Sequence, residues 1–134
     1  MATVADETER RLIRRGSVPL FVHGLLEYGL GVLCIAAPFL FSFETDGATA
    51  LCIAIGTAIL ALGIVTRGPT GIVRSLPLDS HIVIDYVLAI FLIASPFVFG
   101  LTDDGPALAF FLLAGITHLL VTIMTRFRKQ PKHG

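Results

Sequence analysis

The chain has 134 residues, enough for one domain. Apolar residues make up 54% of it and charged residues only 15%. This composition excludes an ordinary water-soluble domain of this size, whose surface carries far more charge. The chain contains ten basic and ten acidic residues, and no nucleic-acid partner is expected.

The charges are concentrated in short segments, and four apolar stretches separate them. Each stretch is long enough to cross a hydrocarbon core of about 30 Å at about 1.5 Å per residue. The sequence therefore predicts an all-α integral membrane protein, a four-transmembrane-helix up-down bundle whose first partner is the lipid bilayer. The predicted spans are residues 19–41, 48–65, 77–100 and 107–124.

The basic residues are distributed unequally between the connections. All ten lie in the two tails or in the central connection, namely Arg10, Arg11, Arg14, Arg15, Arg67, Arg74, Arg126, Arg128, Lys129 and Lys132. The other two connections carry acidic residues and no basic ones. By the positive-inside rule both termini and the central connection face the cytoplasm. We expect a multi-pass protein of the cytoplasmic (inner) membrane, without a cleavable signal peptide.

The second half of the chain repeats the first. Residues 75–101, SLPLDSHIVIDYVLAIFLIASPFVFGL, align without a gap with residues 17–43, SVPLFVHGLLEYGLGVLCIAAPFLFSF, at a spacing of 58 residues. This similarity indicates an internal duplication of a helical hairpin. Both copies start on the same side, so the repeats are parallel and related by a pseudo-twofold axis along the membrane normal. A one-residue insertion is expected near residues 106–110.

The duplication gives the domain boundaries. We expect a cytoplasmic juxtamembrane tail, a first hairpin repeat, a cytoplasmic linker, a second hairpin repeat and a basic cytoplasmic tail. These segments cover residues 1–16, 17–67, 68–76, 77–126 and 127–134.

Several residues have predicted local roles. Ser17 is placed to cap the first span, and Pro38 should bend or thin that span near its far end. The two cysteines, Cys34 and Cys52, are expected to be small apolar packing residues. The acidic turns are expected to be solvated and not to bind calcium. A small-residue ridge in the second span favours close helix contact and comprises Ala50, Ala54 and Ala58.

The end of each first helix carries a recognisable motif. The segments IAAPFLFSF and IASPFVFGL resemble the SPW repeat family of small bacterial and archaeal membrane proteins. The motif letters fall on Ala37-Pro38-Phe39 in the first copy and on Ser95-Pro96-Phe97 in the second. Phenylalanine replaces the tryptophan of the motif in both copies. The resemblance implies a four-helix membrane topology and no established biochemical activity.

The candidate functional residues lie near the cytoplasmic end of the spans. Each copy has a histidine four residues before an acid, so each pair shares a helix face, and a third histidine lies at similar depth in the fourth span. Ionisable groups at such depth usually face a bundle interior or a water-filled cavity. The candidate polar intramembrane cluster comprises His23, Glu27, Tyr28, His81, Asp85, Tyr86 and His118.

Three interpretations of this cluster remain open. The first is a structural lock in which each histidine–carboxylate pair satisfies itself and orients its span, with the tyrosines as further hydrogen-bond partners. The second is a transition-metal site, since imidazole and carboxylate suit zinc, iron or manganese. The third is a proton relay or a site for a small cation or polar head group. The lock is the leading interpretation, and neither a metal nor a cofactor is expected.

Enzymatic activity has no support in the sequence, since no nucleophile–base pair, phosphate-binding glycine loop or cofactor fingerprint occurs. No catalytic residue is expected. We expect a structural, scaffolding or auxiliary subunit that forms a homo-oligomer or docks on a membrane-protein partner. The alternative is an oligomeric channel or transporter for protons, a small cation or a small polar solute. The sequence gives no substrate, partner or oligomeric state.

Overall fold

The computed structural model describes residues 3–4 and 16–127. These residues contain four membrane-length helices: α1 (Leu20–Leu40), α2 (Asp46–Val65), α3 (Leu78–Val98) and α4 (Gly105–Met124). All four are long and apolar enough to cross a bilayer, and no strand lies among the described residues beyond two isolated β-bridges. The predicted all-α four-helix membrane bundle is confirmed. The tails predicted for residues 1–16 and 127–134 lie almost entirely outside the described residues.

The two ends of the bundle are formed by different connections. At one end lie the central connection, residues 66–77, and the segments that precede α1 and follow α4; we call it the linker end. At the other end lie the two turns inside the hairpins, residues 41–45 and 99–104; we call it the turn end.

Each hairpin is held together by a close approach of its two helices. In the first hairpin a Cβ atom added to Gly56 would lie 2.6 Å from the carbonyl oxygen of Gly31. In the second, a Cβ on Gly115 would lie 2.7 Å from Cγ1 of Ile93. Glycine thus lets the helix backbones come nearer than any side chain would allow. The predicted ridge of Ala50, Ala54 and Ala58 is exposed and takes no part in this packing.

The two cysteines belong to the apolar core. Cys34 and Cys52 are free thiols and are both fully buried, as predicted for small packing residues. They belong to a core that also contains Ile59, Leu92 and Phe111.

Backbone pairing at the linker end displays the pseudo-twofold relation between the hairpins. Val18 bridges Thr125, and Leu76 bridges Thr66. The first pair is closed by Arg126 N–H donating to Val18 O at 3.0 Å, and the second by Arg67 N–H donating to Leu76 O at 2.9 Å. In both cases the residue shortly before a first helix pairs with the threonine that ends a second helix. The two bridges are therefore equivalent contacts in the duplicated structure.

The helix positions locate the inserted residue. The helices α1 and α3 begin 58 residues apart, at Leu20 and Leu78. The helices α2 and α4 begin 59 residues apart and are preceded by the capping residues Thr45 and Asp104. The extra residue therefore lies in the turn before Asp104, and its predicted place near residues 106–110 was wrong.

The start of α1 also differs from the prediction. Its N-cap is Pro19, with no side-chain hydrogen bond to the cap, and Ser17 is exposed. The prediction that Ser17 caps this helix was therefore wrong. Pro19 still contributes its carbonyl oxygen, which accepts a hydrogen bond from His23 N–H at 3.0 Å.

The turn end contains a buried carboxylate that joins the hairpins. Asp104 is 1% exposed, and its Oδ1 caps α4 by accepting from Ala107 N–H at 3.1 Å. Its Oδ2 accepts from Glu44 N–H at 3.0 Å, from Thr45 N–H at 2.9 Å and from the Thr45 hydroxyl at 3.0 Å. The expectation that the acidic turns are solvated is therefore wrong for Asp104, although Glu44, Asp46 and Asp103 are exposed.

These hydrogen bonds shift the ionisation of Asp104. Burial by itself would raise the pKa of the carboxyl group. The hydrogen bonds donated by Ala107, Thr45 and Glu44 favour the charged form and outweigh burial, so the pKa of Asp104 lies below its ordinary value. Asp104 is thus a negatively charged acceptor at neutral pH.

Candidate functional site

A polar cluster lies inside the bundle toward the linker end. His23 and Glu27 project from the first turns of α1, and His81 and Asp85 from the equivalent turns of α3. All four are between 0% and 3% exposed. The faces predicted to carry these residues therefore point inward and meet each other between the two hairpins.

The four side chains alternate around a closed ring of nitrogen–oxygen contacts. His23 Nε2 lies 3.0 Å from Asp85 Oδ2, and His81 Nε2 lies 2.9 Å from the same oxygen. His81 Nε2 lies 3.2 Å from Glu27 Oε2. The ring closes with 3.8 Å between His23 Nε2 and Glu27 Oε2. Two contacts run along a helix and two cross between hairpins, so the pairs form one shared site.

Two threonine hydroxyls hold the outer nitrogens of the histidines. His23 Nδ1 lies 2.9 Å from Thr125 Oγ1, and His81 Nδ1 lies 2.6 Å from Thr66 Oγ1. Each hydroxyl also lies 2.6 Å from the carbonyl oxygen four residues earlier in its helix, on Val121 for Thr125 and on Leu62 for Thr66. These contacts repeat the pseudo-twofold relation of the backbone bridges.

The threonine contacts determine which nitrogen of each ring carries hydrogen. A threonine hydroxyl has one proton, and here it is donated to the helix carbonyl, so its oxygen is the acceptor toward the ring. Nδ1 of His23 and of His81 is therefore the donor. In a neutral imidazole the other nitrogen is then an unprotonated acceptor. Both Nε2 atoms accordingly present either a lone pair or an added proton to the carboxylates.

A third histidine extends the cluster onto α4. His118 is 4% exposed, and its Nε2 lies 3.6 Å from Asp85 Oδ1. Among the described residues, the buried side-chain atoms without a hydrogen-bond partner include Glu27 Oε1, Asp85 Oδ1 and His118 Nε2. Buried polar atoms are normally satisfied. Three unsatisfied atoms in one cluster indicate that direct contacts alone do not complete the site.

A small cavity adjoins the cluster from the linker side. It holds about 20 Å³, enough for about one water molecule. His23, Glu27 and His81 line it from the bundle, and Thr66 and Thr70 lie on the side of the central connection. The cluster is thus closed to lipid but borders a space beneath the linker.

The structure excludes the two tyrosines from the cluster. Tyr28 OH donates to the carbonyl oxygen of Thr70 in the central connection at 2.9 Å. Tyr86 follows the fully buried Asp85 and is itself exposed on the outer side of α3. The expectation that they act as hydrogen-bond partners of the histidine–carboxylate pairs was wrong. The Tyr28 hydroxyl donates its proton to Thr70 instead, and Tyr86 is directed away from Asp85 because a helix turns by about 100° per residue.

The threonines are the functional residues that sequence analysis missed. Thr66 and Thr125 occupy equivalent positions in the two repeats, each followed by an arginine. That repetition was a detectable signal, but a polar residue at the end of a span is more commonly associated with the helix terminus. Each of them contacts a histidine of the other hairpin, which depends on packing across the bundle.

Comparison with known proteins places the chain in a family. The model of the SPW repeat domain matches residues 21–125, which cover all four helices except Leu20. The chain belongs to the SPW repeat family. No curated protein and no solved structure matches it.

The SPW motif has one buried and one exposed part in this structure. Ala37 and Pro38 in the first copy and Ser95 and Pro96 in the second are buried. The third position is directed outward, with Phe39 72% exposed and Phe97 61% exposed. The position at which phenylalanine replaces the tryptophan of the motif therefore lies on the outer surface of the bundle and not in its core.

Proposed function

We propose that this SPW-family protein is a structural or auxiliary subunit of the cytoplasmic membrane that docks through α2 on a second copy of itself or on another membrane protein. In this proposal it has no enzymatic activity. The turns and linker of the described residues are short, and its buried polar groups link the hairpins to each other. The four apolar helices and the membership of the SPW repeat family support the multi-pass membrane fold.

The docking proposal rests on the composition of the outer face of α2. The helices α1, α3 and α4 expose large apolar side chains such as Leu25, Val87 and Leu120. In α2, which the structure describes throughout, no large apolar side chain is exposed. After its first turn the exposed residues of α2 are Ala50, Ala54, Thr57, Ala58 and Ala61.

The duplicated helix α4 provides an internal comparison for this face. Three exposed small residues of α2 correspond to exposed Leu113, Ile116 and Leu120 in α4, which are suited to contact with lipid tails. Helix association in membranes relies on small residues that let backbones approach closely. The face of α2 therefore differs from its repeat in the way expected for a helix–helix interface.

The test of this proposal uses equivalent positions in the two repeats. Ala50 in α2 and Ala109 in α4 are both exposed alanines 59 residues apart. We expect Ala50→Leu to weaken association of the full chain, measured by energy transfer between labelled copies in lipid vesicles and by recovery of crosslinked partners. Ala109→Leu is the matched control and should leave association unchanged. A chain that stays monomeric and crosslinks to no membrane protein would contradict the proposal.

The second candidate is a channel or transporter for protons or a small cation. It is favoured by the cavity of about 20 Å³ that reaches His23, Glu27 and His81 from the linker side. Under this alternative, vesicle flux depends on Glu27 and Asp85. Flux that is unchanged in the Glu27→Gln, Asp85→Asn double variant would remove it.

A further inference from the structure

We propose that His23, Glu27, His81 and Asp85 form a binding site for one divalent transition-metal cation, with Zn²⁺ the best-fitting ion. The site lies inside the bundle on α1 and α3, so it goes beyond the docking role of α2 and does not depend on it.

The spacing of the four side chains fits a single cation. One ligand atom from each residue can be chosen so that all four lie within 4.8 Å of one another. In a tetrahedral zinc site with bonds of about 2.0–2.1 Å, neighbouring ligand atoms lie about 3.3 Å apart. The nitrogen–oxygen contacts of the ring range from 2.9 to 3.8 Å. The four nitrogen–oxygen edges of the ring are therefore close to the edge length of a zinc site, and the two remaining pairs of ligand atoms lie within 4.8 Å.

The hydrogen-bond pattern of the histidines is that of metal ligands. A metal-binding histidine donates its other ring N–H to a nearby acceptor, which fixes the tautomer and orients the ring. Thr125 and Thr66 provide that acceptor for Nδ1 of His23 and of His81, because each hydroxyl proton is donated to a helix carbonyl. Both Nε2 lone pairs are thus directed toward the carboxylates. The lone pairs and the carboxylate oxygens repel each other, whereas a cation bound between them attracts both.

Charge also favours a divalent ion. With neutral histidines the buried ring carries the two negative charges of Glu27 and Asp85, which is costly at membrane depth. One divalent cation neutralises both. Two protons, one on each histidine, also neutralise the ring, and metal analysis separates these two forms.

The unpartnered oxygens are the ones that the four-ligand arrangement leaves outside the ring. A cation bound through Asp85 Oδ2 and Glu27 Oε2 leaves Asp85 Oδ1 and Glu27 Oε1 as acceptors for neighbouring groups. His118 Nε2 lies 3.6 Å from Asp85 Oδ1, where it is placed to orient the Asp85 carboxylate.

The chemistry of the ligands selects the class of metal. Imidazole nitrogen suits zinc, copper, iron and nickel, whereas all-oxygen sites suit magnesium and calcium. Two nitrogens and two oxygens in a four-ligand arrangement fit Zn²⁺, which imposes no geometry of its own. The adjoining cavity beneath the linker borders three of the four ligands, His23, Glu27 and His81.

The first test is metal analysis of the full chain. The protein carries an affinity tag without histidine, is produced with added Zn²⁺ and is purified in a mild nonionic detergent. We expect about one zinc per chain in the wild type and less than about a tenth of that in His81→Ala and in Asp85→Asn. The matched controls are His133→Ala, a histidine outside the described residues, and Asp103→Asn, an exposed acid at the turn end. Both should keep the wild-type metal content.

Two further measurements do not require that the ligand variants fold. Thr66→Val and Thr125→Val keep all four ligands and should lower Zn²⁺ affinity by about 10–100-fold in competition with a coloured chelator. Co²⁺ titrated into the wild-type protein should give the intense visible absorption of a four-coordinate ion. Zinc or cobalt retained equally by His81→Ala and Asp85→Asn would show adventitious binding elsewhere and overturn the proposal. A wild-type protein without transition metal, whose Co²⁺ spectrum stays that of the hydrated ion, would also overturn it and leave protons as the neutralising charge.

Discussion

Replacing Asp104 tests whether the turn end joins the two hairpins. Its carboxylate caps α4 through Ala107 and accepts three hydrogen bonds from Glu44 and Thr45 in the other hairpin. Asp104→Ala removes all four contacts. Asp104→Asn keeps the shape of the side chain but has one carbonyl oxygen, so it can satisfy the cap or the other hairpin and not both.

The expected size of the effect follows from these contacts. Loss of an N-cap costs about 0.5–2 kcal/mol, and a hydrogen bond to a charged group contributes about 1.5–3 kcal/mol. Water can replace part of the lost contacts because Glu44 and Thr45 are exposed. We therefore expect Asp104→Ala to lower the free energy of unfolding by about 3 kcal/mol and Asp104→Asn by about half of that. Asp103→Asn, at the exposed neighbouring position, should change it by less than about 0.5 kcal/mol.

The two buried thiols provide the assay. Cys34 and Cys52 are free and fully buried, so a thiol reagent modifies them only when the bundle opens. The rate of modification in nonionic detergent, compared with the rate in the denatured chain, gives the free energy of opening. Equal modification rates in wild type and Asp104→Ala would refute the role assigned to this carboxylate.

The pH dependence provides a second check on the same residue. The pKa of Asp104 in the folded protein lies below its value of 3.8 in the unfolded chain. Its contribution to stability is therefore fully present above pH 4 and is lost as the pH falls through the folded-state pKa. The difference in stability between wild type and Asp104→Asn should stay constant from pH 7 to pH 5. It should shrink only below about pH 4; a difference that shrinks between pH 7 and pH 5 would contradict the assignment.

Two further variants test the packing of the helices and the support of the cluster. Gly56→Ala should lower the free energy of unfolding by about 1–3 kcal/mol, because its Cβ would lie 2.6 Å from Gly31 O. In the same thiol assay Gly29→Ala, which has open space around it, should not destabilise, and equal losses in both would refute the close approach. Thr125→Val should cost about 1–3 kcal/mol, because the N–H on His23 Nδ1 loses its acceptor. A loss below about 0.5 kcal/mol by thermal unfolding would show that the hydroxyl does not hold the ring.

The fold was predictable because membrane-spanning length and apolar composition are local properties of the sequence. The helix termini were less predictable. Ser17 precedes the first span as a capping residue would, yet Pro19 occupies the N-cap. The inserted residue was placed within α4, whereas the matched caps Thr45 and Asp104 show that it lies in the preceding turn. Both errors concern hydrogen bonds of a helix start, which depend on how the turn packs.

The candidate site was predictable in its main residues and not in its surroundings. The duplication and the four-residue spacing of His81 and Asp85 identified a polar face without any knowledge of packing. Tyr86 was included because it adjoins Asp85 in sequence, but the helix directs it outward. Thr125 was not included because it lies 102 residues from His23 along the chain. Contacts between distant segments depend on the relative placement of two hairpins, which a single sequence does not specify.

The central feature of this structure is a histidine–carboxylate cluster that both hairpins share as one site. A double-mutant cycle with His23→Ala, Asp85→Ala and the double variant tests it directly, because these residues lie on different hairpins with their side chains 3.0 Å apart. The thiol assay provides the four free energies of opening. We predict a coupling energy of about 1–3 kcal/mol between the two sites. A coupling energy indistinguishable from zero would mean that the two hairpins do not share the cluster.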